Sequence, residues 1–430
     1  MHSEKTGDRG IVPDIHTYGE RKHSRSYHTM NIAFINSEHP SRSGRDQGGI
    51  ATYIYIMANA LHKAGHAVHI LVRKNTLPEE LDEGIHLHTF DHTPVKKPFS
   101  FLSRIFNGPI FWEKGCSKAA FEVIRQLHAQ TPLDIVEIPE YNGMASQFFQ
   151  PLPFTCVINF HTPSILIDEL NHTPVTSLRK QMYAYERRAV KNGTAFRCPA
   201  ESLARKIKTI FSLRKEPVTI INNPIPTAAF DAIRKKSPAP HERIDILFSG
   251  RLERRKGAEI IQQAINKILD INTHIHITFA GETEIGESAS YRQAIERAVG
   301  DEKRSRVWFL GPLDRKNLAL LYRRSDIFLM PSLYENSPYA LLEAIAARLP
   351  VVGANTAGIN EIIKHKETGL LFSLDNLNEL YACINELIAS PDRTNLYVKN
   401  AYDMLQKNYN PEVIVQKTVA FYTSIKRGVS

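Results

Sequence analysis

Residues 331–361 read PSLYENSPYALLEAIAARLPVVGANTAGINE, and the order of residue types in this stretch decides the fold class. A strand ends at Pro331, a loop carries Glu335, and a helix follows. VVGA then reads as a short buried strand, and a small-residue loop leads into a second helix at Glu361. Ser337 is the expected N-cap and Pro338 the expected first helical residue, because a serine oxygen can accept from an early helix N–H and proline lacks the N–H that would go unsatisfied there. Pro338, Leu341, Leu342, Ile345 and Ala346 follow i, i+3, i+4 spacing, so that stripe faces a core and Glu343 stands beside it. An unbroken apolar strand belongs in a parallel sheet covered on both faces. Ala357-Gly358 allows the backbone to approach a ligand before the next helix. Open α/β sheets bind ligands at the carboxyl ends of their strands, which is where Glu335, Glu343 and Glu361 fall. Spacing alone equally allows an ordinary βαβ unit with solvated glutamates.

With 430 residues, 42% of them apolar, the chain is long enough for two packed domains. A formal charge of +9 points to anionic partners such as nucleotide phosphates, an acidic membrane surface or nucleic acid. Cys116, Cys156, Cys198 and Cys383 form no CxxC pair, which suits buried reduced thiols in a cytoplasmic protein and implies no zinc site. No apolar run reaches about 18 residues, so no segment reads as a membrane span. Residues 1–29 lack the apolar core of a signal peptide and read as a disordered leader, or as sequence upstream of a natural start at Met30.

From Met30, MNIAFINSE is a strand, HPSRSGRDQGG a loop, IATYIYIMANALHKAGHAV a helix ending at Gly65, and AVHILVR a second strand. Gly48 and Gly49 sit where loop turns into helix, a place where backbone N–H groups and the positive helix end can meet a phosphate. The spacing is not GxGxxG, which removes the main support for a dinucleotide-dependent dehydrogenase. Residues 94–112 interleave aromatics with Lys96, Lys97 and Arg104, as core beneath a loop or a membrane-surface element would. Two further strand ends carry Glu140, Asn142 and His161. Residues 179–215 read as helical and hold eleven Lys or Arg against Glu186 and Glu201. A solvated face explains part of that charge, and its density favours contact with anionic headgroups or a phosphate-bearing acceptor. Aromatics suited to base stacking are sparse there, so nucleic acid ranks low as a partner. KKSPAPHER breaks the periodicity and reads as a linker.

The second half restarts with IDILFSGRLERRKGAEIIQQAINKIL. Gly250 permits a tight turn, while Arg251 and Lys256 offer a fork and a point charge to one pyrophosphate. Such a leaving group needs its developing charge neutralised. Strand and helix then alternate through HIHITFAG and VWFLGPLDRKNLALLYRRSDIFLMPS to Glu335.

The pattern PSxxE…lEAxAxxxPVV…G..E, with Glu335 and Glu343 eight residues apart, and GRLxxxKG at 250–257 together resemble the GT4 group of retaining glycosyltransferases with the GT-B fold. The resemblance runs from about Met30 to Lys426. It implies an α/β fold of two Rossmann-like domains facing each other across a cleft: an acceptor domain at 30–228, a linker at 229–242, a nucleotide-sugar domain at 243–408, and a last segment, 409–430, crossing back onto the first domain. It further implies a nucleotide diphosphate sugar (UDP-, GDP- or ADP-linked) as donor, a saccharide or lipid-linked acceptor, and no cofactor or metal. Arg251 and Lys256 would hold the diphosphate, and Glu343 the ribose hydroxyls. Glu335 and the backbone at Asn336, Ser337, Pro338 and Tyr339 would grip the sugar. His161 would orient it or stabilise charge near the anomeric centre. Gly48 and Gly49 would lie against phosphates and sugar, Gly250 would permit the phosphate turn, and the loop at Gly311 would hold the base. Glu140 and Asn142 are candidates for acceptor hydroxyls, and 94–112 with 179–215 for peripheral contact with an anionic membrane. One departure stands out: Arg348 occupies a helix end where the family carries Gly, so it is expected to be left-handed at a cost of about 1 kcal/mol. A GT-B hydrolase or epimerase of nucleotide sugars, or a non-catalytic GT-B binding subunit, remain the alternatives.

Overall fold

The computed structural model describes residues 29–36, 48–74, 81–91, 101–228, 230 and 243–426, with the side chains of 101–112 left aside. The first half runs β1 (Asn31–Ile35), α1 (Gly49–Lys63), β2 (Ala67–Arg73), β3 (Ile85–Phe90), α2 (Phe101–Gln130), β4 (Ile135–Pro139), β5 (Thr155–Asn159), α3 (Ser164–Leu170), α4 (Ser177–Asn192), β6 (Ala195–Cys198), α5 (Glu201–Ile210) and β7 (Val218–Ile220). Its strands form one parallel sheet ordered β3-β2-β1-β4-β5-β6-β7. The second half runs β8 (Ile244–Ser249), α6 (Ala258–Ile271), β9 (Ile275–Ala280), α7 (Glu287–Val299), β10 (Val307–Phe309), α8 (Arg315–Arg324), β11 (Ile327–Met330), α9 (Tyr339–Ala346), β12 (Val351–Ala354), α10 (Ile359–Ile362), β13 (Leu370–Phe372), α11 (Leu377–Ala389), α12 (Pro391–Tyr409) and α13 (Pro411–Lys426). Its sheet is ordered β10-β9-β8-β11-β12-β13. Both orders are doubly wound, so the α/β class with two Rossmann-like layers is as expected. Each reverses between its first strand and its fourth, which is where such sheets place ligands. In the second half that point lies between β8 and β11, which pair in register Ile327 with Ile246 and Phe328 with Leu247. The loops leaving them begin at Gly250 and Pro331.

Period-two alternation divides the first sheet's neighbours. Ile32 and Phe34 face a core shared with Tyr53, Ile54 and Met57 of α1 and with Ile414, Val419 and Tyr422 of α13, whereas Ala33 and Ile35 face the core under α2, α4 and α5. The final helix therefore returns to the first domain. A buried polar knot holds it there. Glu137 accepts from the Tyr53 hydroxyl at 2.7 Å, from the Asn159 amide at 2.9 Å and from the Tyr422 hydroxyl, with the Arg197 guanidinium at 3.4 Å. Arg197 is fully buried and also reaches Thr418 of α13.

Three expectations shift in register or extent. The basic stretch 179–215 is not one helical surface: β6 interrupts it, and Arg197 turns its charge inward. The helix expected to open at Pro338 begins at Tyr339, because Pro338 keeps an extended ψ of 116° and Ser337 makes no side-chain cap. The segment 94–112 and the linker 229–242 fall outside the described side chains, except Phe230, which packs against Tyr322.

Arg348 has φ 56°, the left-handed conformation its position requires. Arg348 N–H donates to the Ile345 carbonyl and Leu349 N–H to that of Ala344, both at 2.9 Å, the paired bonds of a Schellman close. Its guanidinium lies 4.0 Å over the Tyr402 ring. Arg348→Gly should thus change unfolding free energy by less than about 1 kcal/mol, relief of backbone strain offsetting the lost ring contact, while Arg348→Ala should lose about 0.5–1 kcal/mol. Urea unfolding measures both, and an alanine variant as stable as the parent would refute the ring contact. Arg197→Met should cost about 3–5 kcal/mol by stranding Glu137 in the core, and adding Glu137→Leu should recover part of that loss.

Candidate functional site

The site is built where β8 and β11 end. A single turn at Arg254–Lys256 closes on Gly257, whose φ of 85° and contact with β11's exit exclude any side chain: a Cβ would stand 2.1 Å from the Pro331 carbonyl oxygen. Gly358 performs the same task on the other side, at φ 81°, where a Cβ would stand 2.1 Å from the Glu335 carbonyl oxygen. Its freedom is thus used to reach the acid-bearing loop rather than a ligand. Clamped between these glycines, Glu335 is buried. Its carboxylate meets the Lys256 ammonium at 2.6 Å and the Arg255 guanidinium at 3.6 Å. Burial alone would raise this carboxyl, but the two cations bring it below the usual carboxylate range. Arg255 is tied in turn to Glu253 at 2.6 Å.

Around this pair, β8, β9 and β10 lead to Gly250, Gly281 and Gly311. Gly250 N–H donates to the Ala280 carbonyl at 2.8 Å and Gly281 N–H to that of Gly311 at 2.9 Å, so the three turns form one rim. Open space surrounds Gly311. Arg251 stands at the rim with its side chain 65% exposed, 3.8 Å from Glu253. Glu343, half-buried on α9, has its carboxyl raised by burial, opposed by the Tyr322 hydroxyl and Arg315. Asn336 Oδ1, Ser337 Oγ and Tyr339 Oη are buried without a hydrogen-bond partner among the described residues, which leaves consecutive polar groups available to a ligand. Pro338, having no N–H, can supply shape but no donor.

The first domain closes over this rim. Gly49 opens α1 against Tyr339, whose ring carbon would lie 3.8 Å from a Cβ on the glycine. Arg315 lies 4.4 Å over the Tyr55 ring of α1. The Asn336 amide donates to the His161 carbonyl and to Thr162 Oγ1. His161 sits edge-on to Tyr53 at 5.5 Å, and burial, with Arg197 adding to it, pushes its imidazole down to about 3, so it is neutral near neutral pH. Such a ring can orient a hydroxyl but brings no positive charge to the anomeric centre. The structure thereby brings His161, Gly49, Lys256, Glu335, Asn336, Tyr339 and Glu343 to one cleft, with Arg251, Gly250 and Gly311 at its edge.

Two carboxylates have other partners. Glu361 caps α5 of the first domain, accepting from the N–H groups of Glu201 at 2.8 Å and Ser202 at 2.9 Å. This is a latch between domains. Glu140 is fully buried, and its two oxygens accept the His161 N–H at 3.1 and 2.9 Å, so it positions that turn rather than meeting an acceptor hydroxyl. Asn142 N–H is held by Glu186 at 3.3 Å. Sequence reasoning missed Arg255, Thr162 and Asn171, whose side-chain oxygen accepts the Arg255 N–H at 3.0 Å, and it missed Arg315. Arg255 lies between Arg251 and Lys256, in the run RRK, and nothing in the sequence separates its inward, carboxylate-facing charge from its neighbours. Among the described residues no group of three or more His, Cys, Asp or Glu is placed to hold a metal ion, and no helix is long and apolar enough to cross a membrane.

Burial pushes Glu140 up to about 8 and Glu186 up to about 7. Folding therefore favours their protonated forms, and stability should be full below their unfolded range near 4.5 and decline as pH rises toward 8. Glu140→Gln should flatten part of that slope in urea titrations from pH 5 to 8; an unchanged slope would contradict the burial argument.

Comparison with known proteins gives this arrangement its family. The family described as Glycosyl transferases group 1 matches residues 229–404, and Glycosyltransferase Family 4 matches residues 47–229. A glycogen synthase of Mycobacterium tuberculosis is 24% identical over 93% of this chain and 96% of its own length. A D-inositol 3-phosphate glycosyltransferase of Pseudarthrobacter chlorophenolicus is 25% identical over 76% of this chain and 78% of its own. Among solved structures, a sucrose-phosphate synthase from Thermosynechococcus elongatus aligns with TM-score 0.75 and 19% identity over 93% of this chain and all of its own. The Anabaena protein HepE in complex with UDP-glucose aligns with TM-score 0.66 and 18% identity over 92% of this chain and 99% of its own. The two family matches meet at residue 229 and together span 47–404, which takes in the cleft and every strand of both sheets but β1, and on that ground the chain belongs to the GT4-type glycosyltransferases of GT-B fold.

Proposed function

We propose that this glycosyltransferase takes a sugar from a nucleotide diphosphate sugar and transfers it, with retention of anomeric configuration and without a metal ion, to a saccharide or lipid-linked acceptor in cell-surface polysaccharide or glycolipid synthesis. The observation that carries the reading is the Lys256–Glu335 pair at 2.6 Å, set at the strand-order reversal of the second sheet with Arg251 exposed beside it. Arg251 and Lys256 neutralise the departing diphosphate, a role worth about 10²–10³ in rate when a comparable preorganised group is removed. Glu335, kept ionised, accepts from sugar hydroxyls, and Asn336, Ser337 and Tyr339 supply the unpartnered polar groups around it. Glu343 accepts from the ribose, and the half-buried backbone at Gly311, with open space beside its Cα, meets the base. The N-terminus of α1 at Gly48 and Gly49 adds partial positive charge from the facing domain. His161, neutral, orients the sugar. The departing phosphate takes the acceptor proton on the same face, so no separate base is needed.

That HepE has been solved with UDP-glucose supports a nucleotide-sugar donor, and a UDP-sugar is the first to test. The protein works in the cytoplasm in this reading. Basic side chains of α4 and α5, both on the α2 side of the first sheet, bring it to the inner face of an anionic membrane.

A thermal-shift screen over UDP-, GDP- and ADP-sugars identifies the donor, and no shift with any of them would count against the whole reading. Glu343→Ala should weaken free-nucleotide affinity about tenfold, as loss of a charged hydrogen bond does, whereas Glu335→Ala should spare nucleotide affinity and depress transfer. Equal nucleotide affinity in both variants and the parent would refute that division. Arg251→Ala, which removes an exposed side chain, should lower turnover about 10²-fold with unchanged stability, and activity should persist in excess EDTA.

A further inference from the structure

Strands β4 and β5 run side by side, Ile138 beside Ile158 and Pro139 beside Asn159, so the loops that leave them start together at the carboxyl end of the first sheet. The β5 loop includes the turn 161–164, HTPS, which carries His161. The β4 loop opens with Glu140 and a single turn at Tyr141–Gly143. Gly143, at φ 63°, is packed so closely on α4 that a Cβ would stand 2.8 Å from the carbonyl carbon of Tyr185. That approach brings the next residue of α4, Glu186, between the two loops.

Glu186 is buried, although it belongs to a helix rich in exposed cations. One of its oxygens accepts from the Ser164 hydroxyl at 2.5 Å and from the N–H groups of Asn142 and Ser164, both at 3.3 Å. The other accepts the Ser164 N–H at 3.1 Å. Glu140 takes the N–H at the opposite end of the turn, that of His161. Pro163, between them, has no N–H to satisfy. Buried carboxyls thus hold the turn at both ends. Among the described residues no cation pairs with either, and beyond burial itself the Glu186 charge raises Glu140 further.

Two unpaired buried carboxyls are a costly way to fill a core. A glutamine would occupy the same space without charge. What a carboxylate adds is acceptor capacity on both oxygens with no donor, so donors from two loops can converge on one group. The turn's other polar atoms face the second domain: the His161 carbonyl and Thr162 Oγ1 take the amide of Asn336, the residue after Glu335. The His161 imidazole is therefore placed from behind by Glu140 and Glu186 and from in front by Asn336.

We propose that Glu186 is a positioning residue for transfer: through Ser164 and the β4 loop, and together with Glu140, it fixes the turn that aims the His161 imidazole at the donor sugar. The proposal rests on the transferase reading above, in which His161 meets the sugar and Glu343 the ribose.

Calorimetry on the full chain tests it with UDP-, GDP- and ADP-glucose, each beside its free nucleotide. The readout is the affinity for the nucleotide sugar divided by that for the nucleotide. In Glu186→Gln this ratio should fall about fivefold with nucleotide affinity unchanged, and Ser164→Ala, which removes one donor, should move it the same way by less. Glutamine removes a buried charge, so the melting temperature at pH 8 should not drop below the parent's, which separates aim from fold. His161→Ala should lower the ratio at least as far. Adding Glu186→Gln to it should lower the ratio no further, since a residue that acts through His161 then has nothing to act on. An unchanged ratio in Glu186→Gln, whatever its melting temperature, or a full second loss in the double variant, would overturn the proposal. A parent that binds none of the six compounds would instead strike the transferase reading, and a His161→Ala variant that keeps the parent ratio would strike the role of His161 in it.

Discussion

Glu335 is a carboxylate held out of water, and much of the second domain's cleft exists to make that tolerable. Its burial is compensated by Lys256 at 2.6 Å and Arg255 at 3.6 Å, and those cations reach it only because Gly257 lets the basic turn press on Pro331. Breaking such a pair strands a charge, at a cost of about 3–5 kcal/mol. The acid loop and the basic loop are therefore one unit, although 79 residues separate Lys256 from Glu335. In the proposed reading an incoming anion shares Lys256 with Glu335, and a sugar beside it meets a carboxylate that is ionised before it arrives. This is preorganisation in the sense that matters for charge developing on a leaving group.

The two domains are joined around that unit by contacts of different chemistry. Glu361 caps α5, Asn336 bridges to the His161–Thr162 turn, Arg254 and Arg255 hold the end of α3, and Arg315 lies on Tyr55. At the far end, α13 is anchored by the knot of Glu137, Arg197 and Tyr422. Opening of the cleft would have to release the first set of contacts while the second, buried in the first domain, stays closed.

Much of this was legible in the sequence wherever the cause is local. AVHILVR is β2 residue for residue, because a largely apolar run between a helix end and a turn, interrupted only by His69 before it closes on Arg73, suits a strand of a covered parallel sheet. Arg348 could be placed in the left-handed region because the family it resembles carries Gly at that helix end, and its φ is 56°. The start of α9 was misplaced by one residue, since Pro338 is compatible with both the extended and the helical side of the boundary. What could not be read depends on how the domains face each other. Glu361 looked like a third site carboxylate until α5 lay against it, and Arg315 carries no signal that it meets Tyr55. Arg197 counted as surface charge because a sequence reports charge and not burial.

The most direct test of the central claim is a crystal structure of the protein with an intact nucleotide sugar. The account predicts the diphosphate against Arg251 and Lys256, the ribose on Glu343, and the sugar hydroxyls on Glu335 with His161 across from them. A nucleotide sugar bound away from the β8 and β11 ends, or bound there with its sugar turned from Glu335, would contradict it.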